Sequence, residues 1–296
     1  MNAIARTIEP VTHDLGAFTV RRAVPQAACR SVGPFVFVDQ FGPASLDIGA
    51  GMDVRPHPHI GLATVTYLVT GAIDHRDSLG TFATIRPGEV NLMTAGKGIV
   101  HSERSPADER AAGPRIFGMQ TWLALPDGKE EIAPAFENVK ADALPTISDG
   151  GATARVIMGA AWGEEAPTTC HSPTLYADIL LSDGGKVEID AEADERAVML
   201  IEGNGEIGGQ ALDLYRLAIL APGDAMTLSS RGGGRVILLG GAPLGKRTVY
   251  WNFVHSSKDR IEQAKEDWRE RRFAEVPGDD EERIPLPDQP NTVSYP

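Results

Sequence analysis

Four side chains of metal-ligand type stand in two pairs with one residue inside each pair: His57-Pro58-His59 in RPHPHIG and His101-Ser102-Glu103 in GIVHSE. In an extended strand residues i and i+2 share a face, so each pair can aim both members at one point. Three neutral imidazoles and a carboxylate suit iron, nickel, copper, zinc or manganese, and a d-block ion so held keeps positions open for water, substrate or oxygen. Histidine is scarce here, seven in 296 residues, and three of the seven occupy these pairs. A closed structural zinc site would draw on thiolates, and the chain has no CxxC pair. The spacing predicts an open metal centre, and hence chemistry.

The stretch between the pairs is built to bring them together. ATVTYLVTG, FATIRPGE and GIVHSE are rich in Val, Thr, Tyr and Ile and are punctuated by turn residues at Gly71, Leu79-Gly80, Pro87-Gly88 and Gly96 to Gly98. Ligand strands separated by a few such hairpins can lie side by side in a small β-barrel.

Composition narrows the function classes. A 42% hydrophobic fraction supports real cores, and Gly 32 with Pro 21 make about 18% of the chain, above the usual ~12%, as expected of many tight turns. Net charge −13 argues against direct nucleic-acid binding, because gripping phosphates needs a basic surface. Cys29 and Cys170 form no disulfide framework and read as free thiols in a reducing cytoplasm. The first residues lack the apolar core of a signal peptide, and no run is long and apolar enough to span a membrane; a soluble, cytoplasmic protein is expected.

Along the chain, residues 1–135 form a first β-rich block holding the four ligand candidates, and the polar stretch FENVKADALPTISDGG reads as a connection. A second β-rich block, 136–256, repeats the texture. Setting Val69-Thr70-Gly71 beside Ile201-Glu202-Gly203 and Pro87-Gly88-Glu89 beside Pro222-Gly223-Asp224, without gaps, places His57 opposite Ile189, His59 opposite Ala191, His101 opposite Val236 and Glu103 opposite Leu238. All four become apolar, which predicts a duplicated barrel with a single metal site. A third segment, 257–296, opens with an amphipathic helix in which Ile261, Ala264, Lys265, Trp268 and Phe273 fall near a 3.6 period while Glu and Arg fill the other positions. Its mixed charges favour packing on its own domain. The proline-rich, charged tail PGDDEERIPLPDQPNTVSYP reads as an extended strap.

HPH at 57–59, TVTYL at 64–68, HRDSLG at 75–80, RPGEVNLMTAGKGIVHSE at 86–103 and WNFVHSSKDRIEQAKEDW at 251–268 resemble the pirin family of the cupin superfamily. The resemblance implies an all-β bicupin, two stacked β-barrels (double-stranded β-helices) with a C-terminal helix. It implies a metal only in the N-terminal barrel, with His57, His59, His101 and Glu103 as ligands and iron as the ion. The sequence departs from many pirins at Ile60, Leu62 and Ala63, where Arg, Phe and Glu are more usual; Ala63 cannot ligate, which leaves Glu103 to supply the carboxylate.

Two functions follow from the resemblance. The first is a quercetin 2,3-dioxygenase-type oxidoreductase that opens a flavonol-like polyphenol with O2, using Fe(II), with Ni, Cu, Mn or Zn as the other candidate ions and Glu103 as catalytic base. The second is a non-enzymatic iron or redox sensor acting on a protein partner, a transcription factor or metabolic enzyme; a general cupin isomerase would differ from both by turning over without O2. His75, with Asp77 two residues on, is either a support for a ligand or a turn histidine. Met93 and Gln120 are candidates for the barrel mouth, and His13, His171 and His255 default to structural or surface roles.

Overall fold

The computed structural model describes residues 2–14 and 18–288. The chain forms two compact units that are not contiguous in sequence. One comprises Met1–Val11, Arg21–Val36 and Asp142–Pro243, and the other Thr12–Val20, Phe37–Ala141 and Leu244–Pro296. Each is a β-barrel of two antiparallel sheets.

In the unit that carries the ligand candidates, the smaller sheet has the order Asp53–His59, Ile99–Arg104, Ile73–Asp77, Phe82–Ile85. The larger sheet sets Val90–Thr94 and Arg115–Ala124 on either side of Leu62–Thr70. LATVTYLVT is rich in β-branched residues that suit a pleated surface, and it is buried continuously from Leu62 to Leu68. Thr64 and Thr66 alternate there with Ala63, Val65 and Tyr67, so one face of a buried strand is polar. That face looks toward Glu103, whose Oε1 lies 3.4 Å from Thr66 Oγ1.

The other unit repeats the scheme. Its smaller sheet runs Lys186–Ile189, Met226–Ser229, Glu206–Ile207, Gln210–Ala211, and in its larger sheet Leu217–Leu220 and Gly234–Gly241 flank Glu195–Gly203. The duplication expected from the sequence is therefore present, but the gapless register is wrong. Ile99 faces His59 and His101 faces His57, while Met226 faces Ile189 and Leu228 faces Val187. The three histidines thus correspond to Val187, Ile189 and Leu228, and Glu103 to Ser230. The two Pro-Gly turns misled the alignment because they sit at different corners: Pro87-Gly88 precedes Val90–Thr94, whereas Pro222-Gly223 precedes Met226–Ser229, the counterpart of Ile99–Arg104. Hydrocarbon still replaces imidazole at all three histidine positions.

The boundaries 1–135, 136–256 and 257–296 need correction. Strand Ile4–Ile8 pairs with Leu217–Leu220, in register Ile4 to Leu220 and Ile8 to Leu217, so the start of the chain completes the sheet of the barrel without ligands. It satisfies the backbone edge of Leu217–Leu220, and Ile8 is buried.

The C-terminal segment belongs to the metal-site unit. Ser257 caps helix Lys258–Arg269, its hydroxyl accepting from the Arg260 N–H. Ile261, Ala264 and Trp268 enter a core with Ile60, Val100, Phe253 and Val276. Ile60 and Val100 adjoin His59 and His101 and point the opposite way, so the helix packs on the backs of both ligand strands. Lys265 lays its ammonium over the Tyr250 ring at 4.3 Å, and Phe273 lies beyond the helix end, its ring parallel to Phe253. The tail continues as a strap: Trp268 Nε1 donates to the Ile284 carbonyl (3.0 Å), the Ile284 N–H donates to the Pro56 carbonyl (2.8 Å), and Arg104 grips Asp279 at 2.7 Å. Residues 289–296 of the expected strap lie outside the described residues.

Candidate metal centre

His57 and His59 project from Asp53–His59 and His101 from the adjacent Ile99–Arg104, where direct pairing of His57 with His101 brings the two i,i+2 pairs together. One ring nitrogen from each of His57, His59 and His101 lies within 4.8 Å of the other two, and all three side chains are buried. His59 Nε2 and His101 Nε2 are 3.0 Å apart. Glu103 is buried close by but stands outside this group of ring nitrogens. A shift in strand register falls between His101 and Glu103, and Glu103 Oε1 lies 3.4 Å from the Thr66 hydroxyl, whose shorter contact is to Gln120 Oε1 at 2.7 Å.

Two glycines hold the ligand strands in place. Gly61 turns the chain from His59 into Leu62–Thr70 at φ +67°, and a Cβ there would strike the Val254 carbonyl oxygen. Gly96, at φ +50°, sits in the turn leading to His101, where a Cβ would strike the Ile132 carbonyl oxygen. Both conformations disfavour any side chain.

The site strongly favours unprotonated imidazole. Burial lowers the His57 pKa from 6.5 to about 4, with the Arg55 backbone opposing and His75 reinforcing the shift. Burial likewise holds His59 and His101 well below their usual range, and the neighbouring histidines add to the effect. Burial raises the Glu103 carboxyl, against the pull of His75 and Thr66. His57 Nδ1 lies 2.8 Å from the Arg55 carbonyl, which can only accept, so the proton sits on Nδ1 and the lone pair on Nε2. Three neutral imidazoles with converging nitrogens form a donor set that fits a d-block cation.

Around the group lie side chains that spacing did not mark. Trp122 meets the His59 ring edge-on at 5.1 Å, Phe37 stacks on Trp122 at 4.0 Å, and Phe136 stacks on His75 at 4.6 Å. None belongs to a motif of fixed offset, and only strand pairing brings them here. His75 is buried rather than a solvent-facing turn residue, with Nε2 3.1 Å from Asp77 Oδ2 and Nδ1 3.4 Å from His101 Nδ1. Met93 is fully buried and pairs with Thr64, while Gln120 is half-buried and bound to Thr66. His13 and His171 lie outside the group and are half-exposed. His255 is buried, accepting the Ser257 N–H at Nδ1 and lying 3.2 Å from Glu131 through Nε2. Cys29 is buried and Cys170 exposed, and burial raises the Cys29 thiol to about 11. No helix among the described residues is long and apolar enough to cross a membrane.

Comparison with known proteins agrees with this architecture. The family model for pirin matches residues 17–123, and that for the pirin C-terminal cupin domain matches residues 176–274. A pirin-like protein of Caulobacter vibrioides is 47% identical over 278 residues, covering 93% of this chain and 96% of its own. A pirin-like protein of Solanum lycopersicum is 31% identical, covering 84% of this chain and 85% of its own. A crystal structure of quercetin 2,3-dioxygenase from Acinetobacter baumannii superposes with a TM-score of 0.88 at 33% identity, covering 97% of this chain and 96% of that one. Two barrels of shared topology, three converging histidines in one of them and the matches along both place this chain in the pirin family as a metal-binding cupin.

Proposed function

We propose that the protein is a metal-dependent dioxygenase that opens the ring of a flavonol-like polyphenol with O2, at a centre held by His57, His59, His101 and Glu103 with Fe(II) as the working ion. The observation that carries this reading is the convergence of three buried imidazoles, with the buried carboxylate of Glu103 beside them. Likeness to the Acinetobacter baumannii quercetin 2,3-dioxygenase supports the choice of substrate class.

A divalent ion bound here would acidify a coordinated hydroxyl and leave room for O2. The chain's own residues do the rest. Glu103, buried beside the three histidines, accepts the hydroxyl proton at a carboxylate oxygen. The single hydrogen of the Thr66 hydroxyl points to Gln120 Oε1 at 2.7 Å or to Glu103 Oε1 at 3.4 Å, so Thr66 can steady the carboxylate when it turns from Gln120. Trp122, edge-on to the His59 ring and backed by Phe37, places apolar surface beside the centre that helps to keep water away. Cysteines that form no disulfide with each other support work in a reducing compartment, the cytoplasm.

The test is O2 uptake by the iron-loaded protein with quercetin, run beside His101→Ala. Uptake over many equivalents per iron in the wild type and none in the variant is the expected result. Uptake limited to one oxidation of the bound iron would overturn the enzyme reading in favour of a sensor that answers to a protein partner.

A further inference from the structure

The proposed reaction makes no use of His75 or Asp77, although both are buried beside the centre at 1% and 0% exposure. Asp77 is held from two sides: its Oδ1 accepts the N–H groups of Leu79 (2.9 Å) and Thr81 (3.1 Å), which leaves Oδ2 for His75 Nε2 at 3.1 Å. A carboxylate can only accept, so His75 carries its proton on Nε2 and its lone pair on Nδ1. That lone pair faces His101 Nδ1 at 3.4 Å. The contact is a hydrogen bond when His101 carries its proton on Nδ1, and the His101 lone pair then lies on Nε2, the nitrogen that faces His59 Nε2. Phe136, stacked on the His75 ring, hinders that ring from turning over and reversing the order.

We propose that Asp77 and His75 are positioning residues that select the tautomer of His101, so that Nε2 meets an incoming metal ion as a lone pair. The inference rests on the metal-centre part of the proposed function and not on ring cleavage. An imidazole in the wrong tautomer must move a proton before it can ligate, and the loss of such outer partners typically lowers metal affinity by about 10- to 100-fold. Asp77→Asn is the sharp variant. Its amide has the shape of the carboxylate but only one accepting atom: an oxygen kept on Leu79 and Thr81 turns the NH2 toward His75, reversing both tautomers in turn. His75→Phe keeps a ring for Phe136 and removes the bond altogether.

The experiment uses the full chain, metal-free and 15N-labelled at histidine. Two-bond 1H–15N correlations report which nitrogen of each ring is protonated, and competition with a chromophoric chelator gives the Zn2+ affinity at neutral pH. The wild type is expected to show His101 protonated on Nδ1 and His75 on Nε2. Asp77→Asn should show His101 protonated on Nε2 and bind Zn2+ about 10- to 100-fold more weakly, with an unchanged far-UV spectrum. A wild-type His101 protonated on Nε2 would overturn the proposal without any variant, and so would wild-type Zn2+ affinity in Asp77→Asn. Neither readout involves O2 or quercetin, so failure of the dioxygenase reading would leave this result standing, and the reverse also holds.

Discussion

His57, His59 and His101 are kept neutral by burial in one pocket, and their mutual proximity makes protonating any of them costly. For each, the folded pKa lies below the unfolded value of 6.5, and for His57 it is about 4. The folded state therefore binds fewer protons than the unfolded one in this window, and stability that is full above pH 6.5 is lost as the pH falls toward 4. The melting temperature of the metal-free protein should drop across that window, and His57→Phe should shrink the drop; a flat profile would contradict it. Glu103 has the opposite sign. Its raised pKa gives a contribution present below the usual 4.5 and lost as pH rises through the folded value. Replacing it with Gln should preserve the circular dichroism spectrum while lowering quercetin turnover by about 100-fold or more, the scale of a lost general base. Unchanged turnover would remove Glu103 from that role.

Among the elements, the smaller sheet aims the ligands and its surroundings hold it still. The bend at Gly61 is fixed by left-handed backbone and by close approach to Val254, which adjoins the helix-bearing segment. Gly61→Ala combines a conformational cost of about 1–2 kcal/mol with that collision, so chemical denaturation should show a loss of at least this size. Helix Lys258–Arg269 acts as a back plate behind Ile60 and Val100. Trp268→Ala should cost about 3–5 kcal/mol through the cavity it leaves and should also release the strap held by its hydrogen bond to Ile284. A loss below 1 kcal/mol would mean that the helix is not part of the cooperative core.

For the whole molecule, duplication with loss gives a definite stoichiometry. Val187, Ile189 and Leu228 stand where the other barrel has histidines, and Ile189 and Leu228 are buried. Elemental analysis of metal-saturated protein should give one equivalent per chain, and close to none for His101→Ala. Two equivalents in the wild type would mean that a second site exists elsewhere.

The sequence by itself determined the chemistry available. Two HxH-like pairs in strand-forming sequence, with no CxxC pair, specify a cluster of metal-ligand side chains, because strand periodicity alone puts i and i+2 on one face. It also determined the all-β class, the duplication and the C-terminal helix, since those depend on local periodicity and turn residues. Register and partnership were decided only by the tertiary structure. The true counterparts of the histidines followed from strand pairing and not from counting between Pro-Gly turns. The chain start joined the other barrel because an open strand edge there needed a partner. His75 looked as much like a turn residue as a support for a ligand until pairing of Ile73–Asp77 with Ile99–Arg104 set it beside His101. Phe37, Trp122 and Phe136 carried no local signal, because contacts between residues far apart in the chain leave no periodic trace in it.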